Sequence, residues 1–506
     1  NTISGSYGTE YSYQSMLSSI NPLTLNDYGY TGNGIKVAVV DTGIDASHQE
    51  FDGRTIYGVD FGNNTASNGY GIDNHGHGTH VASIIAGERD GSGMRGVAYD
   101  ATLYDYKVNN DTSNSLVGVA DDNTMATVFN RHVTDNIKFS NNSWGDANNI
   151  TSYSAATLRS AYPNTIAAMR AAQNNGTLII FIAHNWGRTQ PNVLGGLPYR
   201  ITELADEWLT VVSVDSSLTE TNYTNRCGVA ADFCVTAPGG GDSQATDGIL
   251  AAEANGTYTR KSGTSMAAPL VSGLAAALME KFPSLTAAQI ATRIKSTASY
   301  TGLTGSSGQT SANSSAATMQ AIFGHGLING TAASGSIGNY IYANGSNLSN
   351  GVNLGTSKIS LPASLSASTQ NQILESNFIV FDSFDGARFS VNGSEVFKVS
   401  NSSIVRTYGN VKKIDTHNDP KFGFTSTGEK INHSKWSPRY ITTGNSNEMS
   451  TADGFWGNTA SLFSSSSMLQ GRTLTNFIWN DNIGNIVIQP FFQVQDSQGS
   501  LESFSG

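Results

Sequence analysis

Runs of apolar residues that stop abruptly at a polar residue recur along the first two thirds of the chain. Ile35-Lys36-Val37-Ala38-Val39-Val40 is almost unbroken and ends at Asp41, with Gly43 just beyond. Such a run predicts a strand buried on both faces, as in a parallel sheet. Another strand is read at residues 137–142, ending in Ser143-Trp144-Gly145, and the pattern returns at residues 177–183, before His184-Asn185. A helical stretch from Asn164 to Gln173 precedes the last of these and is stopped by Asn174-Asn175-Gly176. Further on, Leu270 to Met279 is apolar nearly all round, which predicts a buried helix.

Three polar residues stand where these elements begin or end. Asp41 closes the first strand, and in open α/β sheets the chemistry collects at the carboxyl ends of strands. His77 sits where the glycine-rich loop Asn74-His75-Gly76 runs into an apolar helix beginning near Gly78-Thr79-His80-Val81. Ser265 lies in Gly263-Thr264-Ser265-Met266-Ala267-Ala268-Pro269, a small-residue turn opening the buried helix. A helix start aims unpaired backbone N–H groups at whatever lies beside the serine hydroxyl, the geometry a nucleophile generating an oxyanion needs. Each residue alone has a plainer reading: a turn aspartate, a capping histidine, a helix-cap serine. A zinc site from His75, His77 and His80 lacks the His-x-x-x-His spacing and adjacent glutamate of a metalloprotease. Asp45 falls beyond the glycine break and reads as a turn residue.

Taken together, VAVVDTGID, HGHGTHVAS and SGTSMAAP, in that order, resemble the subtilisin-like serine proteases over about residues 20 to 335. The resemblance implies an α/β fold: a mostly parallel β-sheet with helices on both faces, followed here by a smaller β-rich C-terminal domain. It implies that Ser265 attacks a scissile carbonyl, that His77 relays the proton, and that Asp41 orients the imidazolium. It also implies that the Asn185 amide donates to the oxyanion beside the Ser265 N–H. Ser143-Trp144-Gly145 would pair with an extended peptide substrate by strand addition, with Trp144 either walling a subsite or filling the core. Ser115-Leu116-Val117-Gly118 would supply the opposite wall. His184 departs from the family, which has a glycine there; a histidine either narrows the pocket or turns away from it.

Composition narrows the setting. The chain has 506 residues, 28 Lys plus Arg, 39 Asp plus Glu and a net charge of −11. Without a basic cluster, nucleic acid and anionic membranes are poor partners, leaving protein or peptide substrates. Cys227 and Cys234 are the two cysteines. They are open to reading as thiols, a redox site or a disulfide, the last favoured if the chain is exported. The start at Asn1 reads as a mature form from which a targeting segment has been removed, and no run of about 20 apolar residues predicts a transmembrane helix. Segments 190–198, 207–215 and 225–228 resemble the protease passengers of Gram-negative autotransporters, which implies a secreted or cell-surface enzyme, although the alternating strands of a barrel are missing from the sequence.

The domain organisation expected is an N-terminal extension over 1–25, a catalytic domain over 26–335 and an accessory domain over 336–506. In the last, short apolar runs such as 378–381, 395–399 and 486–492 are punctuated by Gly, Asn and Ser, which reads as a sandwich or short solenoid. The chemistry needs no cofactor. Structural calcium is compatible with Glu88, Asp90 and Asp111, but no ladder of ligands stands out, so no metal residues are named. A monomer is expected. Two other readings remain: an adhesion protein with an inactive protease-like domain, and a kexin-type processing enzyme. The second needs an acidic pocket, and only Asp146 lies near Trp144 and Asn185.

Overall fold

Strand β1, Lys36–Asp41, is buried from Val37 onward, as its unbroken apolar run requires. A computed structural model describes residues 10–399, apart from 11–13, 15–16, 63–70, 109–120, 344–350, 356–357 and 363–364. Beyond residue 399 it describes the strands at 422–424, 430–432, 473–477, 491–495 and 501–505. Ser115–Gly118, Asp111 and residues 486–490 therefore lie outside the described residues. The described chain divides into two units, Asn1–Ile337 and Gly338–Gly506.

In the first unit β1 is joined by β2 (Tyr57–Asp60), β3 (Thr102–Lys107), β4 (Phe139–Asn142), β5 (Leu178–Ile182), β6 (Trp208–Val214) and β7 (Cys234–Pro238). They form one seven-stranded sheet in the order β2-β3-β1-β4-β5-β6-β7, and every pairing is parallel. The winding changes side at β1: β2 and β3 add to one flank, then the chain crosses to place β4 on the other. Val40 accordingly faces Tyr106 on one side and Asn142 on the other. Crevices open beyond the carboxyl ends of strands at such a reversal.

Alternation along β1 assigns its two faces. Ala38 and Val40 join a core with Tyr106, Val128, Phe129, Met169 and Phe181, beneath the helices Asp122–Asp135 and Pro163–Asn174. With a period of two, Val37, Val39 and Asp41 point to the opposite face. That face carries the helix His77–Ala86 and, packed along it, the helix Thr264–Lys281. The latter is buried at every position from Thr264 to Met279 and lies against β4 to β7. Its all-round apolar character is what a helix enclosed by sheet and neighbouring helices needs.

Cys227 and Cys234 are joined in a disulfide with Cα atoms 5.8 Å apart, closing over the short helix Gly228–Phe233 at the start of β7. Closing so short a loop restricts the unfolded chain by about 2.5 kcal/mol. Replacing both cysteines with serine is therefore expected to lower the melting temperature by about 5 °C, read by calorimetry with the active-site serine blocked.

In the second unit Tyr340–Tyr342, Val352–Asn353, Asn377–Asp382 and Arg388–Asn392 make a small antiparallel sheet. Its core gathers Val352, Ile359, Leu361, Val380, Val396 and Phe397. The strand read at 378–381 is there. The run read at 395–399 is a strand only over Phe397–Val399. Before it, Asn392 caps a helical turn at Gly393–Val396 by accepting the Ser394 amide. Local capping overrides the alternating pattern at this point.

Candidate active site

Asp41 leaves the end of β1 on the face that carries the helices His77–Ala86 and Thr264–Lys281, and is fully buried. Its Oδ1 accepts the Thr42 amide at 2.8 Å and meets His77 Nδ1 at 2.6 Å. Gly43, at φ +117°, makes the turn after it; a side chain there would run into the Ile72 carbonyl. His77 opens its helix, and the whole N-terminus of that helix is held by Asp73. The Asp73 carboxylate accepts the amides of His75, Gly76 and Thr79 and the hydroxyls of Thr42 and Thr79, at 2.7 to 3.0 Å. The Thr42 hydroxyl in turn accepts the Gly78 amide at 2.8 Å. Strand end and helix start are thus tied together on both sides of the Asp41–His77 contact.

Burial alone pushes the His77 imidazole down, but the charge of Asp41 and its hydrogen bond outweigh this and raise the pKa above its usual 6.5. Lys261 opposes the rise. Its Nζ lies 2.8 Å from Glu253 and donates to the Gly76 carbonyl at 3.2 Å, which puts a cation beside the histidine loop. Both residues come from the hairpin of β8 (Ile249–Glu253) and β9 (Thr257–Lys261).

Ser265 stands in the first turn of its helix, where its own amide has no intrahelical acceptor. Its hydroxyl donates to the Ser143 carbonyl at 3.0 Å, and the Ser143 hydroxyl donates back to the Ser265 carbonyl at 2.9 Å. The return bond has a cause in the sequence. Pro269, four residues on, has no N–H for the Ser265 carbonyl, so Ser143 satisfies it from outside the helix. The reciprocal pair fixes the end of β4 beside the serine.

Asn185, just past β5, has its acceptor already occupied. Its Oδ1 takes the Thr264 amide at 2.8 Å and the Thr264 hydroxyl at 2.9 Å. This orients the side chain so that the NH₂ remains the group to offer. His184 is held at φ +90°, a left-handed conformation costly for a residue with a side chain. Its Nδ1 accepts the Asn185 amide at 2.8 Å, and its ring stacks on Trp186 with centroids 5.4 Å apart. Trp144 is 6% exposed, with its indole edge-on to Phe181 at 5.3 Å. Asp45 closes a turn, accepting the amides of Ser47 and Asn255. His80 is buried, its Nε2 on the Thr259 carbonyl at 3.2 Å, and burial pushes its pKa down to about 3.

Sequence reasoning missed Asp73, Thr264 and the Ser143 return bond. The first had a signal: an aspartate shortly before a glycine-rich helix start is a capping arrangement. The third was implied by the Ser265 to Pro269 spacing. Nothing in the sequence signalled that Thr264 orients Asn185.

The fold defines a doubly wound α/β protein with an Asp–His pair at its carboxyl edge and a helix-opening serine on a helix packed against that of the histidine. The subtilase family model matches residues 32–326. The chain belongs to the subtilase family of serine peptidases. It is 32% identical to an extracellular serine protease of Serratia marcescens over 325 residues, 55% of this chain but 30% of that protein. It is 31% identical to subtilisin DY of Bacillus licheniformis over 275 residues, 54% of this chain and 87% of the relative. A solved protease structure from Pseudoalteromonas arctica, 23% identical, covers 65% of this chain and 98% of its own with a TM-score of 0.50, a likeness of fold. The chain thus spans under a third of the Serratia protein and most of the Bacillus one.

Proposed function

We propose that the chain is a secreted serine endopeptidase that hydrolyses peptide bonds through an acyl-enzyme, with Asp41, His77 and Ser265 as its triad. The observation that carries this reading is the 2.6 Å contact of His77 Nδ1 with buried Asp41, on the face where Ser265 opens its helix. With Nδ1 committed to Asp41, Nε2 is the nitrogen left to take a proton. In the free state the Ser265 proton points to the Ser143 carbonyl; the reaction requires a turn about the Cα–Cβ bond that hands it to the imidazole. The hydroxyl oxygen then bonds to the substrate carbonyl carbon, and its proton passes to His77. The new oxyanion accepts from the Ser265 N–H and the Asn185 NH₂. His77 returns the proton to the leaving amine, and water repeats the sequence to release the acid. Ser143 to Gly145 would pair with the substrate backbone. Residues 26–335 would form the catalytic domain and 336–506 the accessory one. The disulfide and the likeness to an extracellular protease of Serratia support secretion. The autotransporter reading rests on the sequence resemblance of segments 190–198, 207–215 and 225–228. Among the described residues, no helix is long and apolar enough to cross a membrane.

The test is covalent labelling by an organophosphorus fluoride. The intact protein is expected to take up one equivalent and Ser265→Ala none; an unlabelled intact protein overturns the reading.

A structural calcium ion near Glu50 is also proposed. Glu50 is 3% exposed, and its Oε2 has no hydrogen-bond partner while Oε1 takes the Tyr258 hydroxyl and the Met94 amide. Glu10 accepts the Asp90 and Gly91 amides in the loop close by. Among the described residues no three His, Cys, Asp or Glu side chains converge on one point. Loop carbonyls would therefore complete the oxygen shell calcium takes. Burial first, then the charges of Asp90 and Glu10, raise Glu50 from 4.5 to about 7. A raised carboxyl stabilises the fold while protonated, and that contribution is lost as pH climbs from 4.5 through 7. A cation would restore it. A chelator is thus expected to lower the melting temperature clearly at pH 8 and little at pH 5. Equal melting with and without chelator at both pH values contradicts the site.

A further inference from the structure

The acyl residue of a substrate must place its side chain within a few ångströms of Ser265, between the strand ends that flank it. One flank is Ser143 to Gly145, locked to Ser265 by the reciprocal hydrogen bonds. The other is Ala183 to Asn185, locked to the serine helix through Thr264. The His184 imidazole lies between the two. Its Nδ1 is tied to the Asn185 amide on one flank. Its Cδ2 rests on Gly145 of the other, 3.1 Å from where a β-carbon on that glycine would stand. The same face of Gly145 is covered by Asn192, 1% exposed, whose side-chain nitrogen would collide with any such carbon and has no hydrogen-bond partner. The ring is held in place by stacking on Trp186, itself covered by the Arg188 guanidinium 5.5 Å from its centroid.

The backbone at His184 shows that this placement is imposed. A glycine would adopt φ +90° freely, and a histidine does so only where its surroundings over-determine it. Burial also pushes the imidazole down to about 4, so near neutral pH it stays uncharged and keeps Nδ1 as the acceptor the Asn185 amide needs.

We infer that His184 is a specificity-determining residue that fills the acyl-side pocket, with Asn192 flooring it, so that the enzyme selects Gly, Ala or Ser at the residue whose carbonyl is attacked. This rests on the serine-peptidase reading. Large apolar residues are excluded by volume and by the polar floor. Among the described residues the carboxylate near this pocket, Asp146, is engaged by backbone: it accepts the Asn148 amide and lies against the backbone of Val193 and Leu194, which disfavours basic residues.

The experiment uses the full chain and tetrapeptide anilides that differ only in their last residue: Ala, Phe or Lys. The intact enzyme is expected to show kcat/KM for Ala at least about tenfold above Phe and Lys, the scale on which a pocket discriminates by size. His184→Gly is expected to raise the Phe-to-Ala ratio about tenfold or more. A labelled, active enzyme that prefers Phe or Lys overturns the inference and leaves the peptidase reading standing. So does a His184→Gly variant with an unchanged ratio. The intact-enzyme ratio decides alone if that variant does not fold. No labelling and no cleavage overturns both readings together.

Discussion

Peptide turnover is expected to fall about a million-fold in Ser265→Ala, with residual activity independent of His77. The size follows from what is lost: the nucleophile and, with it, the purpose of the base. The fold should survive, because the Ser265 hydroxyl makes one hydrogen bond while its carbonyl keeps the Ser143 donor. The intact enzyme should meanwhile show an acid limb set by His77. Only the neutral imidazole can accept the serine proton, and Asp41 holds its pKa above 6.5 against the opposing pull of burial and Lys261. The kcat/KM profile should therefore fall tenfold per pH unit below a midpoint above 6.5. A midpoint below 6, or a Ser265→Ala enzyme that still turns over at a tenth of the normal rate, would contradict the assignment.

Asn185→Ala is expected to cost about 100- to 1000-fold in kcat with little change in KM. In the proposed role the asparagine NH₂ would meet charge that exists only as the carbonyl becomes tetrahedral, so ground-state binding should not register its loss. The substitution also strips an acceptor from the Thr264 amide and hydroxyl, and that second effect has to be separated. Thr264→Val removes one of those two bonds and keeps the NH₂; a loss of about tenfold or less in kcat is expected, since one neutral hydrogen bond contributes about 1 kcal/mol. Equal losses in the two variants would mean that Asn185 acts by holding Thr264 and not by donating to the oxyanion.

Strands β1 and β5 were legible because they are buried on both faces and their apolar runs are almost unbroken, whereas β2, β3 and β7 carry polar residues or lie in no such run and were not read. Asp41 and His77 were legible as partners because each breaks such a run at a strand end or helix start. What could not be read depended on torsion and on contacts between distant segments. No pattern announces that residue 184 is left-handed, so the side on which its ring falls was open. The position of Trp144 was equally undetermined, since a tryptophan after a strand satisfies the same pattern from the core or from the groove. Asp73 gathers five donors from two stretches of chain, a role that residue type alone does not mark. At 395–396 the run read over 395–399 lost to a local cap, because a side-chain hydrogen bond two residues away outweighs a weak strand signal.

The buried helix Thr264–Lys281 has one more implication, for biosynthesis. It fills the middle of a sheet whose first strand is encoded more than two hundred residues earlier. A nascent chain that has emerged only as far as β7 carries aspartate and histidine but exposes the bare sheet face where the last helix belongs. Contacts that span so much of the polymer close slowly, so no cutting edge can exist until this helix has left the ribosome and docked on the sheet.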